Sequence, residues 1–277
     1  MSNAKILLIV EGEKTETDFI SRLTELYGMK YQIYAIRTNL FALYDKVKRT
    51  EFQCDIKDIL REFNLPEEQK EVLREDFAFT YLIFDSELQD KRPNERQEPP
   101  PLTSRINRNI DRLIEMAGFF NDETDPSKGK LYINYPMMES YRDANSFYDE
   151  QFIYNTIALD DIPNYKEIAS SKHLVGFDIR DYTKDNYTGL MRMHVNKLAY
   201  MSGHEELNGV SYTKYLSFSP GEKIAAIQKN SIMKDSVLHI LNTSLFFLLD
   251  YYGNRDGFYD SVIKNSKINS VEPKKEV

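Results

Sequence analysis

The run Lys5-Ile-Leu-Leu-Ile-Val10 leads directly into Glu11-Gly12 and then into Thr15-Glu-Thr-Asp-Phe-Ile20. An unbroken apolar run this short describes a strand covered on both faces, the habit of parallel α/β sheets. It ends on a carboxylate, a glycine and a helix start. Ligand sites of open α/β sheets lie at the carboxyl ends of the parallel strands. Glu11 is therefore aimed where such a fold does chemistry. A second apolar run, Phe79-Thr-Tyr-Leu-Ile-Phe84, ends in the same way on Asp85-Ser86-Glu87.

The pattern around these runs predicts the remaining elements. Thr15 and Asp18 have capping-box spacing, and Phe19, Ile20, Leu23, Leu26 and Tyr27 share one helical face. Gly28 stands where a glycine closes a helix. A second strand is expected over 31–36, with helices over 41–47, 56–63 and 66–74. The proline-rich stretch 88–101 reads as a long loop beside the strand end. A helix over 104–116 and a strand over 130–134 follow, with Pro136 in the first turn of the next helix. Strands alternating with helices to about residue 145 imply a mainly parallel α/β sheet with helices on both faces. Beyond that, helices are expected over 189–201, 222–228 and 236–252, and strand runs are scarce. Residues 1–145 thus read as an α/β domain, and 146–277 as a mainly helical accessory region.

A chain of 277 residues, 41% of them hydrophobic, can bury one large core or two modest ones. Its net charge of −8 argues against wrapping nucleic acid by overall field, while leaving room for a local basic groove. The single cysteine, Cys54, excludes an intramolecular disulfide and a Cys-rich zinc site. The longest late apolar patch, Leu245-Phe-Phe-Leu-Leu249, is far short of the ~20 residues a membrane span needs. Met-Ser-Asn-Ala-Lys5 shows no apolar signal region before the first strand, so a cytoplasmic protein is expected. The tail 271–277 reads as frayed. There is no P-loop, so an NTP-driven motor would have to be a separate ATPase subunit.

Residues two apart on a strand face the same side, which would present Asp85 and Glu87 together and turn Ser86 away. Hard cations such as Mg²⁺ take oxygen ligands and keep several waters, so two or three carboxylates suffice. A metal so held can activate water or clamp the oxygens of a phosphoryl displacement. Plainer readings stand beside these. Glu11-Gly12 also suits an ordinary strand-to-helix turn, and Asp85 with Glu87 suits a solvated strand end. Glu139 reads equally as a ligand or as a carboxylate favouring a helix N-terminus; Glu16 leans to the structural role. Arg37, Lys91, Arg92 and Arg96 are candidate phosphate contacts, with solvated surface charge as the alternative. The histidines, His173, His194, His204 and His239, show no ligand spacing. Arg192 and Lys197, near Tyr187 and Tyr200, give one helix a sparse basic and aromatic character that more often marks an ordinary amphipathic helix.

Strand–Glu-Gly–helix, followed by strand–Asp-x-acid, resembles the Toprim domain of topoisomerases, DnaG-type primases, OLD-family nucleases and small RNA-maturation nucleases. Val10-Glu-Gly-Glu-Lys-Thr-Glu16 looks closest to the RloB and OLD-like branch, associated with bacterial defence. Pro136-Met-Met-Glu139-Ser-Tyr141 occupies the place of that branch's Pro-x-aromatic-Glu element. The resemblance covers about the first 145 residues. It implies a Mg²⁺- or Mn²⁺-dependent nuclease acting on DNA or RNA in anti-phage defence. Glu11, Asp85 and Glu87 would be catalytic metal ligands, with Glu139 and Glu16 in support. The chain departs from the pattern in having Asp85-Ser-Glu87 for Asp-x-Asp, Met138 for the aromatic, and Tyr135 between Asn134 and the proline. Two rival readings remain open. One is a non-catalytic Toprim-fold sensor or partner-binding protein; the other is a phosphatase or phosphotransferase for small substrates. Oligomeric state is open too, an oligomer being compatible with the sequence.

Overall fold

The apolar run at the start of the chain is β1 (Ile6–Val10), and all five of its side chains are buried. Successive side chains of a strand point to opposite faces, so this burial means that both faces of the sheet are covered at β1. β2 (Tyr31–Ala35) and β3 (Phe79–Asp85) flank β1, both parallel to it, and β5 (Gly129–Asn134) runs parallel on the far side of β3. The two-residue β4 (Asn121–Asp122) closes that edge antiparallel. The protein is therefore α/β, with a mainly parallel five-stranded sheet in the order β2-β1-β3-β5-β4. Gly129 is needed where β5 meets β3: its φ is +80°, and a Cβ would lie 2.8 Å from the Thr80 carbonyl oxygen. The computed structural model describes residues 5–264, apart from 13, 37–38, 52, 64–66, 93–94, 96, 126 and 205–208. Arg37, Arg96, Pro66 and the tail 271–277 lie outside the described residues.

The first half also carries α1 (Thr15–Leu26), α2 (Leu40–Arg49), α3 (Ile56–Arg61), α4 (Glu67–Val72) and α5 (Leu102–Phe119). The second half adds β6 (Thr156–Ala158), α6 (Tyr165–Ser170), α7 (Lys184–Met201), α8 (Tyr212–Phe218), α9 (Gly221–Asp235), β7 (Val237–His239), α10 (Phe246–Tyr252) and α11 (Phe258–Ile263). β6 and β7 form a separate antiparallel pair. One hydrophobic core runs through both halves. The Tyr187 hydroxyl of α7 donates to the Phe19 carbonyl of α1 at 2.8 Å, and Phe247 of α10 packs on Tyr81 of β3 with ring centroids 5.5 Å apart.

Several local expectations are corrected. Thr15 is the first helical residue of α1, not its cap; the capping position is Lys14, whose side chain makes no capping bond. Gly28 does close α1, with φ +66° and its N–H donating to Glu25. Pro136 follows a cis peptide bond and precedes a short 3₁₀ turn, Met138–Arg142, instead of opening a helix. The segment 236–252 is not one helix. Ser236 takes a left-handed conformation that ends α9, and the chain then forms β7, a loop and α10. Among the described residues, no helix is long and apolar enough to cross a membrane.

The docking of α7 is steeply dependent on one residue. A Cβ on Gly189 would lie 2.2 Å from the backbone carbonyl of Phe147. Gly189→Ala should destabilise the fold by ~1–3 kcal/mol or more through overpacking, despite alanine's better helix propensity. A urea midpoint equal to or above that of the wild type would show that the contact yields easily.

Candidate metal centre

The in-register pairing of β1 and β3 brings the first two carboxylates together. Val10 lies opposite Ile83, so Glu11 emerges beside the end of β3. There the Asp85 N–H donates to Glu11 Oε2 at 3.3 Å. Asp85 itself pairs with Asn134, the last residue of β5. The chain beyond β5 then turns back, and the Met138 N–H donates to Asp85 Oδ1 at 2.7 Å. The β3 end is thus tied on both sides, through the Asp85 amide to Glu11 and through the Asp85 carboxylate to Met138.

Glu87 arrives by a different route from the one its spacing suggests. β3 ends at Asp85, and Glu87 has φ +47°, a left-handed backbone that a non-glycine residue adopts at a cost. A turn, not strand alternation, therefore swings its carboxylate towards the centre. The turn is secured from α5, where buried Asn109 donates to the carbonyls of Leu88 and Asp90, each at 3.0 Å. Ser86 is buried, and its hydroxyl donates to the Pro136 carbonyl at 2.8 Å. The result is a group in which one carboxylate oxygen from each of Glu11, Asp85 and Glu87 lies within 4.8 Å of the others. Two oxygens on a single Mg²⁺ at ~2.1 Å can be at most ~4.2 Å apart. The three carboxylates are therefore a small side-chain adjustment from sharing one ion.

Other acids ring the group. Glu16 folds back so far that a Cβ on Gly12 would lie 2.2 Å from its Oε2, which explains why glycine suits this turn. Asp90 hydrogen-bonds the Glu87 side chain and accepts from Asn39 Nδ2 at 2.8 Å. Glu139 is buried and lies outside the group of three; its Oε1 is 3.0 Å from Lys166 Nζ of α6. Lys166 is otherwise largely exposed. Sequence reasoning weighed Glu16 but missed Asp90 and Lys166. Asp90 lay in an apparent loop, and Lys166 reaches the centre only because α6 packs there.

This crowding shifts protonation. Burial pushes the Glu11 carboxyl up to about 7, aided by the charges of Glu16 and Asp90 and opposed by the Asp85 amide. Burial raises Asp85 well above the usual carboxylate range, and the charges of Glu11, Glu16, Glu139 and Glu87 act in the same direction. Glu87 is raised by burial, then by its hydrogen bond with Asp90 and the charges of Glu11 and Asp90. Glu16 is raised by burial first.

The second half of the chain braces this arrangement. Tyr135 and Leu241 exchange backbone hydrogen bonds, each 2.8 Å, which docks the loop after β7 beside the extension of β5. Buried Asn242 donates from Nδ2 to the Met138 carbonyl at 2.9 Å, and its own N–H donates to His194 Nδ1 at 3.0 Å. The N–H groups of Thr243 and Ser244 donate to Asn134 Oδ1 at 3.1 and 3.2 Å. His194 is therefore a core residue, held neutral by burial and by the nearby Lys197 charge. Lys197 is buried too, and donates to the carbonyls of Phe152 and Asn155. Arg192 is bonded to the Val262 carbonyl and Tyr187 is buried, while Tyr200 is exposed, so the basic and aromatic residues of α7 do not share one open face. Lys91 and Arg92 are exposed in the loop after Glu87.

Two stability measurements test this geometry. Glu11 binds a proton in the folded state that the unfolded chain releases between pH ~4.5 and ~7, so stability without metal should fall as pH rises through that window. The slope should reach up to about 1.4 kcal/mol per pH unit for each such group. Glu11→Gln should flatten the profile and melt no lower than the wild type above neutral pH; a mutant melting several degrees lower would make Glu11 a structural residue. Asn242→Ala leaves the buried Met138 carbonyl without its donor and should cost ~1–3 kcal/mol. It should also weaken the stabilisation by Mn²⁺, which a purely local packing defect would leave intact.

No protein-family model matches this chain, and neither do the curated proteins or the solved structures compared with it.

Proposed function

We propose that this protein is a divalent-metal-dependent phosphodiesterase acting on nucleic acid, a Toprim-type nuclease of the RloB and OLD-like kind serving bacterial anti-phage defence. The observation that carries the reading is the convergence of Glu11, Asp85 and Glu87 at adjacent parallel strand ends, within 4.8 Å and partly buried. Gathering like charges away from water is unfavourable without a cation, and such perturbed groups cluster at functional sites. The donors are all carboxylate oxygens, which suits Mg²⁺ or Mn²⁺ over the softer metals.

A hard cation held here would supply Lewis acidity, easing deprotonation of water and neutralising charge on a transferring phosphoryl group. The chain's own residues do the rest. Glu11 and Asp85, tied to each other and to the Met138 amide, fix two ligand directions. Glu87 completes the set from its left-handed turn. Glu16, whose carboxyl is raised by burial, and Asp90, hydrogen-bonded to the Glu87 side chain, complete the acidic surround. Lys166 neutralises Glu139 and brings an ammonium within reach of an anionic substrate. The acidic rim repels a polyanion in the absence of metal, so metal and substrate binding should be linked.

The test is cleavage of single- and double-stranded DNA and RNA with Mn²⁺ or Mg²⁺, abolished by EDTA. Asp85→Asn keeps an acceptor for the Met138 N–H but removes the charge. It should lose more activity than the ~10–100-fold typical of an outer-shell change, with little change in melting temperature without metal. Mn²⁺ at a hundredfold excess over Kd should stabilise the wild type by ~2.7 kcal/mol and the mutant by much less. Tight nucleic-acid binding without turnover, across all substrates, would favour the sensor reading. Turnover of small phosphate esters alone would favour the phosphatase.

A further inference from the structure

Behind the acidic centre, on the α2 and α5 side, lies a cavity of about 180 Å³. At ~30 Å³ per water it holds several waters, ample for a phosphate group. Four cations line it: Lys91 and Arg92 from the loop after β3, and Arg108 and Arg112 from α5. Asn39, Ala42, Asp45 and Asp90 contribute to the remaining wall. The two α5 arginines are internally held. Arg108 Nη1 is 2.6 Å from Glu95 and its Nη2 donates to the Asp90 carbonyl; Arg112 pairs with Asp45 and lies over the Phe41 ring. Their planes are thereby fixed. Lys91 and Arg92 are exposed; the Arg92 N–H donates to Glu95 Oε2 at 3.1 Å, and its charge acts on the same carboxylate. Asp90 belongs to both places. It lines the cavity wall, hydrogen-bonds the Glu87 side chain and raises the Glu11 carboxyl by its charge. One carboxylate therefore separates a carboxylate cluster suited to a cation from a cation-lined cavity suited to an anion.

We propose that this cavity is an anion subsite that takes a second phosphate of the substrate, one step along the chain from the group at the carboxylates. The proposal rests on the phosphodiester reading for its substrate. It adds direction, because it makes the strand leave the centre across Asp90 towards α2 and α5. Fixed guanidinium groups with two exposed neighbouring cations are the arrangement that phosphate oxygens select. The neighbouring phosphate of a chain, or a terminal phosphate, would satisfy the same donors.

The experiment pairs two probes with the variant Lys91→Ala/Arg92→Ala, whose folding is checked by melting. Inorganic phosphate is titrated calorimetrically in EDTA. The wild type should show one saturable site, and the double variant should bind about tenfold more weakly or worse, while Asp85→Asn should bind as the wild type does. Single-stranded oligonucleotides with a 5′-phosphate or a 5′-hydroxyl are then bound in Ca²⁺ over a range of salt. The double variant should lower the log–log salt slope by ~0.7 for each phosphate it no longer neutralises. A weakening confined to the phosphorylated strand assigns a terminal phosphate, and an equal weakening on both strands assigns an internal one. No saturable phosphate binding, or equal affinity in the double variant, overturns the subsite even if the protein cleaves nucleic acid. Phosphate binding that depends on Lys91 and Arg92, in a protein that neither binds nor cleaves any oligonucleotide, keeps the anion site and overturns the nuclease reading instead.

Discussion

The in-register parallel pairing of β1, β3 and β5 is the constraint on which the candidate centre depends. A parallel ladder aligns the strands and brings their carboxyl ends to one edge of the sheet. Val10 opposite Ile83 and Asp85 opposite Asn134 then determine where Glu11, Asp85 and the Met138 amide meet. A shift of one residue in either pairing would turn Asp85 to the other face and dissolve the site. The full burial of β1, and of β3 from Thr80 to Phe84, protects that register, because slipping would expose large apolar side chains.

That rigidity works against electrostatics. The acids Glu11, Glu16, Asp85, Glu87, Asp90 and Glu139 crowd a partly buried edge, and Lys166 is the cation seen paired with them among the described residues. The fold holds the cluster in place by hydrogen bonds from outside it: Met138 to Asp85, Asn109 to the Glu87 turn, and Asn242 to Met138. A well-satisfied surrounding network thus maintains a local arrangement of like charges that is unfavourable by itself.

The second half of the chain takes part in this support. Its loop 241–244 is hydrogen-bonded to Tyr135, Met138 and Asn134, all buried. His194 and Lys197, which on sequence alone stand on a helix of basic and aromatic character, are engaged by buried backbone groups. The α/β half and the helical half therefore share one core, and the geometry at Asp85 depends on both.

The amino-acid order by itself determined β1, β3 and the carboxylates at their ends, because an unbroken apolar run has few alternatives to a strand buried on both faces. It also determined the close of α1 at Gly28, where a positive φ favours glycine. Other features depended on contacts remote in sequence. The left-handed turn at Glu87 is stabilised by Asn109, the strand at 237–239 by its partner at 156–158, and the place of Lys166 by packing of α6 near Glu139. Local patterning carries no information about such partners. Where local preference was weak, as at Thr15, Pro136 and Ser236, the tertiary structure decided the conformation, because the hydrogen bonds and burial gained across the fold outweigh the small energies that propensity expresses.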